Sequence, residues 1–412
     1  MNVSKSRRIV ICDDVPEDAE GWRAELSRIL PGAVPDREHA VELCPEDELK
    51  QGLQNLMSRR AAARGKSEWS ESGTVFDGAE IVVIDYDLAH ISGGSLITAE
   101  TMARLCRAFT DTPVILIMNQ YREFDFDLSL RGHPDSRADL NIKSEHLSRP
   151  RLWHFNADDS SQFRPWYWPE LSSAAERQKK RVADLLENGN LEVSILEHLG
   201  FTETETERMW SNALGFLHPK DPRSATFRTF VQESGKGTDV KDDRPLTESR
   251  HPCAQRAVAR IAAARIAKWL DKLVLASQDI LVDLPHLVER MPCLVPKDHR
   301  NDVTAWNAFV TLEENPKTDA DLLRRFGFQK PHWLSRPACW WTRIDEDREL
   351  RMARKEDRLG NPNDFVFRED SSDFANRDDS QEFRADFDCI FDRRSLTEVD
   401  GLEYGPRVRL VS

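Results

Sequence analysis

The sequence predicts an α/β protein, with a parallel sheet wrapped by helices in the first third and a mainly helical, α+β region after it. Two observations carry this. Short β-branched runs alternate with amphipathic helical stretches through the first 150 residues, the pattern of strands that must cross over through helices to pair in parallel. Beyond Pro150 the strand pattern fades, and nine of the eleven tryptophans lie between 153 and 341, as expected of a second core.

The strands are expected at Arg8 to Cys12, Ala40 to Leu43, Ile81 to Asp85, Val114 to Met118 and Leu140 to Ile142. Between them, Pro16 to Leu30 places Ala19, Trp22, Leu26 and Ile29 at spacings of three and four, so one helical face can cover a sheet. Glu46 to Arg60 does the same with Leu49, Leu53, Leu56 and Met57, and Thr98 to Phe109 with Met102, Leu105 and Phe109. Residues 64 to 77, rich in Gly, Ser and charge without a period, read as a surface insertion, and 232 to 252 as an exposed loop or joint. Ala254 to Ser277 has the longest apolar stripe in the chain, from Val258 through Ile261, Ile266 and Trp269 to Val274. Its cations Arg256, Arg260, Lys268 and Lys272 are expected on a solvated face. Three regions follow: 1–150, a Trp-rich mainly helical 151–245, and a helical or mixed 246–412 with an acidic end.

At 412 residues the chain has room for more than one domain. Its net charge of −14 argues against nonspecific nucleic-acid binding, and no run approaches the roughly 18 apolar residues of a membrane span. The seven cysteines are scattered without a CxxC, which fits reduced thiols and a cytoplasmic, bacterial-type setting rather than a disulfide framework. Net charge runs −8, +1 and −7 over residues 1–150, 151–344 and 345–412, so the acidity is concentrated at the two ends.

Chemistry is concentrated at the strand ends. Asp13 and Asp14 end the first strand, Asp85 the third, a polar residue follows the fourth, and Lys143 ends the fifth. In a doubly wound sheet of the flavodoxin-like order 2-1-3-4-5 these positions share the carboxyl edge, where such sheets bind ligands. Carboxylates that converge there repel by about 4 kcal/mol per pair at 4 Å and an effective dielectric of 20, unless a hard cation such as Mg²⁺ lies among them.

The segments RRIVICDDVPED (7 to 18), AEIVVIDYDLAHISGGSLI (79 to 97), TPVILIM (112 to 118) and DLNIKS (139 to 144) together resemble the receiver domain of two-component response regulators, over about residues 5 to 148. The resemblance implies Asp85 as phosphoacceptor, Mg²⁺ held by Asp13, Asp14, Asp85 and the Asp87 main-chain carbonyl, and Lys143 pairing with the phosphoryl group. Gly93 and Gly94 match the glycine turn of that family. A histidine kinase or phosphotransfer protein is the implied donor, and a protein partner would read residues 151 to 412; a homodimer is left open, and neither a membrane nor nucleic acid is expected. Three positions depart from the family, one being Ser144, which follows Lys143 where the family usually has proline. Met118 stands where a hydroxyl residue usually contacts the phosphoryl group, with Asn119 next as a substitute donor, and Leu140 stands where an aromatic residue usually switches.

Other readings compete. A receiver that has lost phosphate dependence would act as an interaction scaffold. Residues 151 to 412 could instead hold a hydrolase or nuclease site, built from the acids of 367 to 374 and 384 to 392 with Lys355. Asp85 and Asp87 also form the DxD of haloacid-dehalogenase-type phosphatases, although those enzymes place their acidic metal pair later in the chain. His251, Cys253, His286, Cys293 and His299 match no metal-ligand spacing.

Overall fold

The computed structural model describes residues 7–35, 38–63, 65, 73–88, 98–118, 130–133, 135–158, 163–187, 189–218, 220–233, 244–310, 316–357, 364–384 and 393–397. Five parallel strands form the first sheet: β1 (Arg7–Cys12), β2 (His39–Leu43), β3 (Ile81–Asp85), β4 (Val114–Met118) and β5 (Leu140–Ile142), in the order β2-β1-β3-β4-β5. The expected fold class and strand order are those observed.

Each buried strand presents alternate residues to two layers. Ile9, Ile11, Ile81, Val83, Leu116, Leu140 and Ile142 face helix α1 (Pro16–Ala33), whose Leu26, Ile29 and Leu30 are buried against them. Val10, Val82, Ile84, Ile115 and Ile117 face α2 (Glu46–Ala63) and α3 (Ala99–Phe109). Thr98 caps α3 by accepting the Thr101 N–H at 3.2 Å. In α2, Leu49 and Leu56 are buried as the spacing predicts, whereas Met57 lies 49 % exposed, one position past the stripe. The expected surface insertion is anchored at its end: Phe76 is fully buried, and Asp77 pairs with Arg59 at 2.6 Å.

The second face of the sheet is shared with the helical region. One continuous apolar core runs from Val10, Val82 and Ile115 through Val258, Ile261 and Ile266 of the Pro252–Trp269 helix to Trp333 and Trp340. That helix ends in a π turn over Leu270–Val274. Arg256 is exposed as expected, and Arg260 is partly buried, but Lys268 and Lys272 are not on a solvated face. Lys268 is 2 % exposed and donates to the carbonyls of Ser136 at 3.1 Å and Ala138 at 2.6 Å, and Lys272 donates to Gly132 at 2.5 Å. Arg265 pairs with Asp135 and Asp271 with Arg131, each at 2.5 Å. The reason is geometric: residues 130–138 lead into β5 directly beneath the helix, and their carbonyls need donors. Within 232–252, the part described includes a short helix at Arg244–Glu248.

The remaining strands make a two-stranded pair, Leu281–Asp283 with Ala338–Trp340, and a separate four-stranded sheet of Phe365–Arg368, Asp373–Asn376, Gln381–Arg384 and Arg393–Leu396. A buried polar hub fastens this sheet to the helical region. His286 contacts Asp283 at 2.6 Å and Glu369 at 3.2 Å, and Arg394 pairs with Glu369 at 2.5 Å. Burial pulls His286 down, but the two carboxylates outweigh it and push its pKa up to about 9.

Candidate functional site

Register builds the site. In the β1–β3 pair Cys12 lies opposite Ile84, so the next residues, Asp13 and Asp85, leave the sheet side by side at its carboxyl edge. Asp14 follows, and one oxygen from each of Asp13, Asp14 and Asp85 can be chosen so that all three lie within 4.8 Å of one another. Among the described residues this is the one group of three or more His, Cys, Asp or Glu side chains so arranged.

Asp13 and Asp85 are each only 8 % exposed. Asp13 accepts the Val15 N–H at 2.9 Å, and Asp85 accepts the Asp87 N–H at 3.0 Å. Burial, followed by the charge of Asp13, pushes Asp85 up to about 6, and burial also raises Asp13 despite the bond from Val15. The carboxylates are therefore crowded and poorly solvated. Hard oxygen donors in such a cluster fit Mg²⁺, which binds through one or two carboxylates and keeps waters on its open positions.

The other expected site residues fall as follows. Lys143 directly follows β5 at the same edge, since Ile142 is paired with Met118 and Met118 with Asp85, which puts it about 10 Å away across two strand spacings. Its N–H donates to His146 Nδ1 at 3.1 Å. Asp87 is held by the backbone bond to Asp85, and neighbouring Tyr86 donates its N–H to the Met118 carbonyl at 2.9 Å. The Met118 side chain is buried in the α1 layer. Asn119, Gly93 and Gly94 lie outside the described residues.

Among the described residues, the side chains named for the alternatives in the second half do not come together. Glu369 is engaged with His286 and Arg394, and buried Asp370 accepts the Thr397 N–H at 2.8 Å, so neither faces an open site. Lys355 is exposed, and residues 385–392 lie outside the described set. His251, Cys253, His286, Cys293 and His299 form no ligand cluster among the described residues.

Sequence reasoning missed the contacts made by Arg131, Asp135, Arg265 and Asp271. A signal existed: Arg265, Lys268 and Asp271 or Lys272 recur at spacings of three and four, a single helical face. No helix among the described residues is long and apolar enough to cross a membrane. Compared with protein-family models, curated proteins and solved structures, the chain matches none of them.

Proposed function

We propose that this protein is a response-regulator-type signalling protein in which Asp85 accepts a phosphoryl group from a histidine kinase or phosphotransfer partner. The observation that carries the reading is the convergence of Asp13, Asp14 and Asp85 at the carboxyl edge of a 2-1-3-4-5 parallel sheet. In the transfer, an Asp85 carboxylate oxygen forms a bond to phosphorus while the phosphorus–nitrogen bond of the donor's phosphohistidine breaks and the imidazole leaves. Asp13, Asp14, Asp85 and the Asp87 carbonyl would hold Mg²⁺. When bound, the ion supplies positive charge that offsets the crowded carboxylates and the phosphoryl oxygens. Lys143 adds a second cation at the same edge. The Asp87 N–H orients the carboxylate so that one oxygen remains available.

Residues 130–138 carry the signal onward in this reading, because they connect β4 and β5 to the Pro252–Trp269 helix through four charged contacts. Couplings between sites are typically about 1–3 kcal/mol, so a graded change in this packing is the expected output.

Met118 supports a second reading, a phosphate-independent scaffold, because a buried thioether supplies no donor to a phosphoryl group. Thermal unfolding with beryllofluoride and Mg²⁺ separates the two. A raised melting temperature in the wild type and none in Asp85→Ala is the result expected of a working phosphoacceptor. Superimposable curves with and without the analogue favour the scaffold.

A further inference from the structure

One carboxylate in the helical region has partners that compete for it. Asp184 lies near the end of the Leu171–Leu186 helix. Its Oδ2 meets His198 Nε2 at 2.9 Å, Trp333 Nε1 at 3.1 Å, Lys330 Nζ at 3.2 Å and His332 Nε2 at 3.4 Å. His198 comes from the Ile195–Leu199 helix, and the other three from the turn that carries the Pro331–Trp333 3₁₀ helix. Lys330 Nζ also lies 2.9 Å from His198 Nε2.

The two close contacts of His198 Nε2 exclude each other chemically. An ammonium only donates and an ionised carboxylate only accepts, whereas an imidazole nitrogen carries either a lone pair or a proton. With a lone pair, Nε2 accepts from Lys330 and faces Asp184 with no proton between them. With a proton, it donates to Asp184 and confronts the Lys330 ammonium. Burial raises Asp184, but the bonds from His198 and Trp333, with those of its other neighbours, outweigh it and hold its pKa at about 2, so the carboxylate is ionised at neutral pH. Burial lowers His198, Lys330 adds to that effect and Asp184 opposes it. A neutral His198 accepting from Lys330 therefore fits these positions at neutral pH, and Asp184 keeps Lys330, Trp333 and His332 as donors.

The charged groups that face His198 are Asp184 and Lys330. His332 meets the same carboxylate, and Arg181 donates to the His332 carbonyl at 3.2 Å. The other ring contacts of His198 are aromatic, with Phe227 at 5.1 Å and Trp333 at 6.1 Å between centroids. The His198 side chain is 5 % exposed and that of Lys330 29 %, so the lysine is the partner with water to move into.

We propose that His198 is a proton switch on the turn at 330–333: neutral, it accepts from Lys330, and protonated, it donates to Asp184 and turns Lys330 out to solvent. Trp333 is fully buried and donates its N–H to the Lys330 carbonyl at 2.9 Å, so release of Lys330 loosens a turn anchored in the core. His198 binds its proton less readily in the fold than its ordinary value of 6.5 allows. The closed turn is therefore favoured above pH 6.5 and loses ground as pH falls below it. The switch is independent of the phosphoacceptor at Asp85.

The test is hydrogen exchange of the full chain, read by mass spectrometry between pH 7.5 and 5.5 with rates corrected for the intrinsic pH dependence. Protection of the Trp333 and Leu334 amides, which donate to the Lys330 and Pro331 carbonyls, should fall with pH by up to about 10-fold per unit, the limit for one proton. Peptides covering Val114–Met118 should not change. His198→Gln should keep the turn protected throughout, because an amide can accept from Lys330 and donate to Asp184 at once. His332→Gln should retain the pH dependence. Should a variant fail to fold, the imidazole ¹⁵N spectrum of the wild type decides: His198 should carry its proton on Nδ1 at pH 7.5. A proton on Nε2 at that pH, protection of the turn that does not vary with pH, or pH dependence that survives His198→Gln overturns the proposal.

Discussion

Replacing Asp85 with Asn removes one of three negative charges while leaving an oxygen to accept the Asp87 N–H. Two unit charges 4.8 Å apart repel by about 3 to 4 kcal/mol at an effective dielectric of 20. The Asp85 pKa gives a similar figure: raised from 3.8 to about 6 by burial and by Asp13, it costs on the order of 3 kcal/mol to keep this group charged in the metal-free fold at neutral pH. The folded protein binds more protons than the unfolded chain between these two values. Metal-free stability therefore falls as pH rises from 3.8 to about 6 and stays lower above that window. In EDTA at neutral pH, Asp85→Asn should be more stable than the wild type by about 1–3 kcal/mol, after allowance for relaxation of the loop. The difference should vanish near pH 4. Adding Mg²⁺ should reverse the order, because the wild type offers a full set of carboxylates and the variant does not. Urea unfolding over this pH range, with and without Mg²⁺, measures all three effects. A variant less stable than the wild type in EDTA at neutral pH, or a difference that does not change with pH, would refute the claim that the carboxylates crowd one another.

Three further outcomes are expected. Gly132→Ala should destabilise by about 1–3 kcal/mol in urea melts, since Gly132 has φ +60° and an added Cβ would lie 2.1 Å from Asn141 Nδ2. Glu369→Leu should cost about 3–5 kcal/mol by leaving His286 and Arg394 buried without their shared carboxylate, read as a lower denaturation midpoint. Burial, the largest influence on Lys268, lowers its pKa from 10.5 to about 7, so the unfolded chain binds the extra proton above that value. Relative to Lys268→Met, wild-type stability should rise by up to about 1.4 kcal/mol per pH unit between pH 7 and 10. Parallel slopes for the two proteins would show that Lys268 does not titrate in this range.

The first sheet was largely legible because its determinants are local. Ile81 to Asp85 and Val114 to Met118 are continuous apolar runs, the form taken by strands buried on both faces, and the observed boundaries coincide with those expected. The burial of Lys268 and Lys272 was not legible in the same way. Periodicity places Lys268 and Lys272 off the apolar stripe, and charge alone then argues for solvent. What covers that face is a loop more than a hundred residues earlier in the chain, whose carbonyls accept the lysine protons.

The amino-acid sequence by itself determined the strands, the amphipathic helices and the acidic residues that end β1 and β3, because alternation, helical period and strand-end position are properties of neighbouring residues. The tertiary structure alone decided which charges meet. Strand register set Asp13 beside Asp85, and the packing of distant elements buried Lys268 and engaged Glu369 with His286. Electrostatic energy depends on separation and solvent exposure in space, and neither is written in the order of residues along the chain.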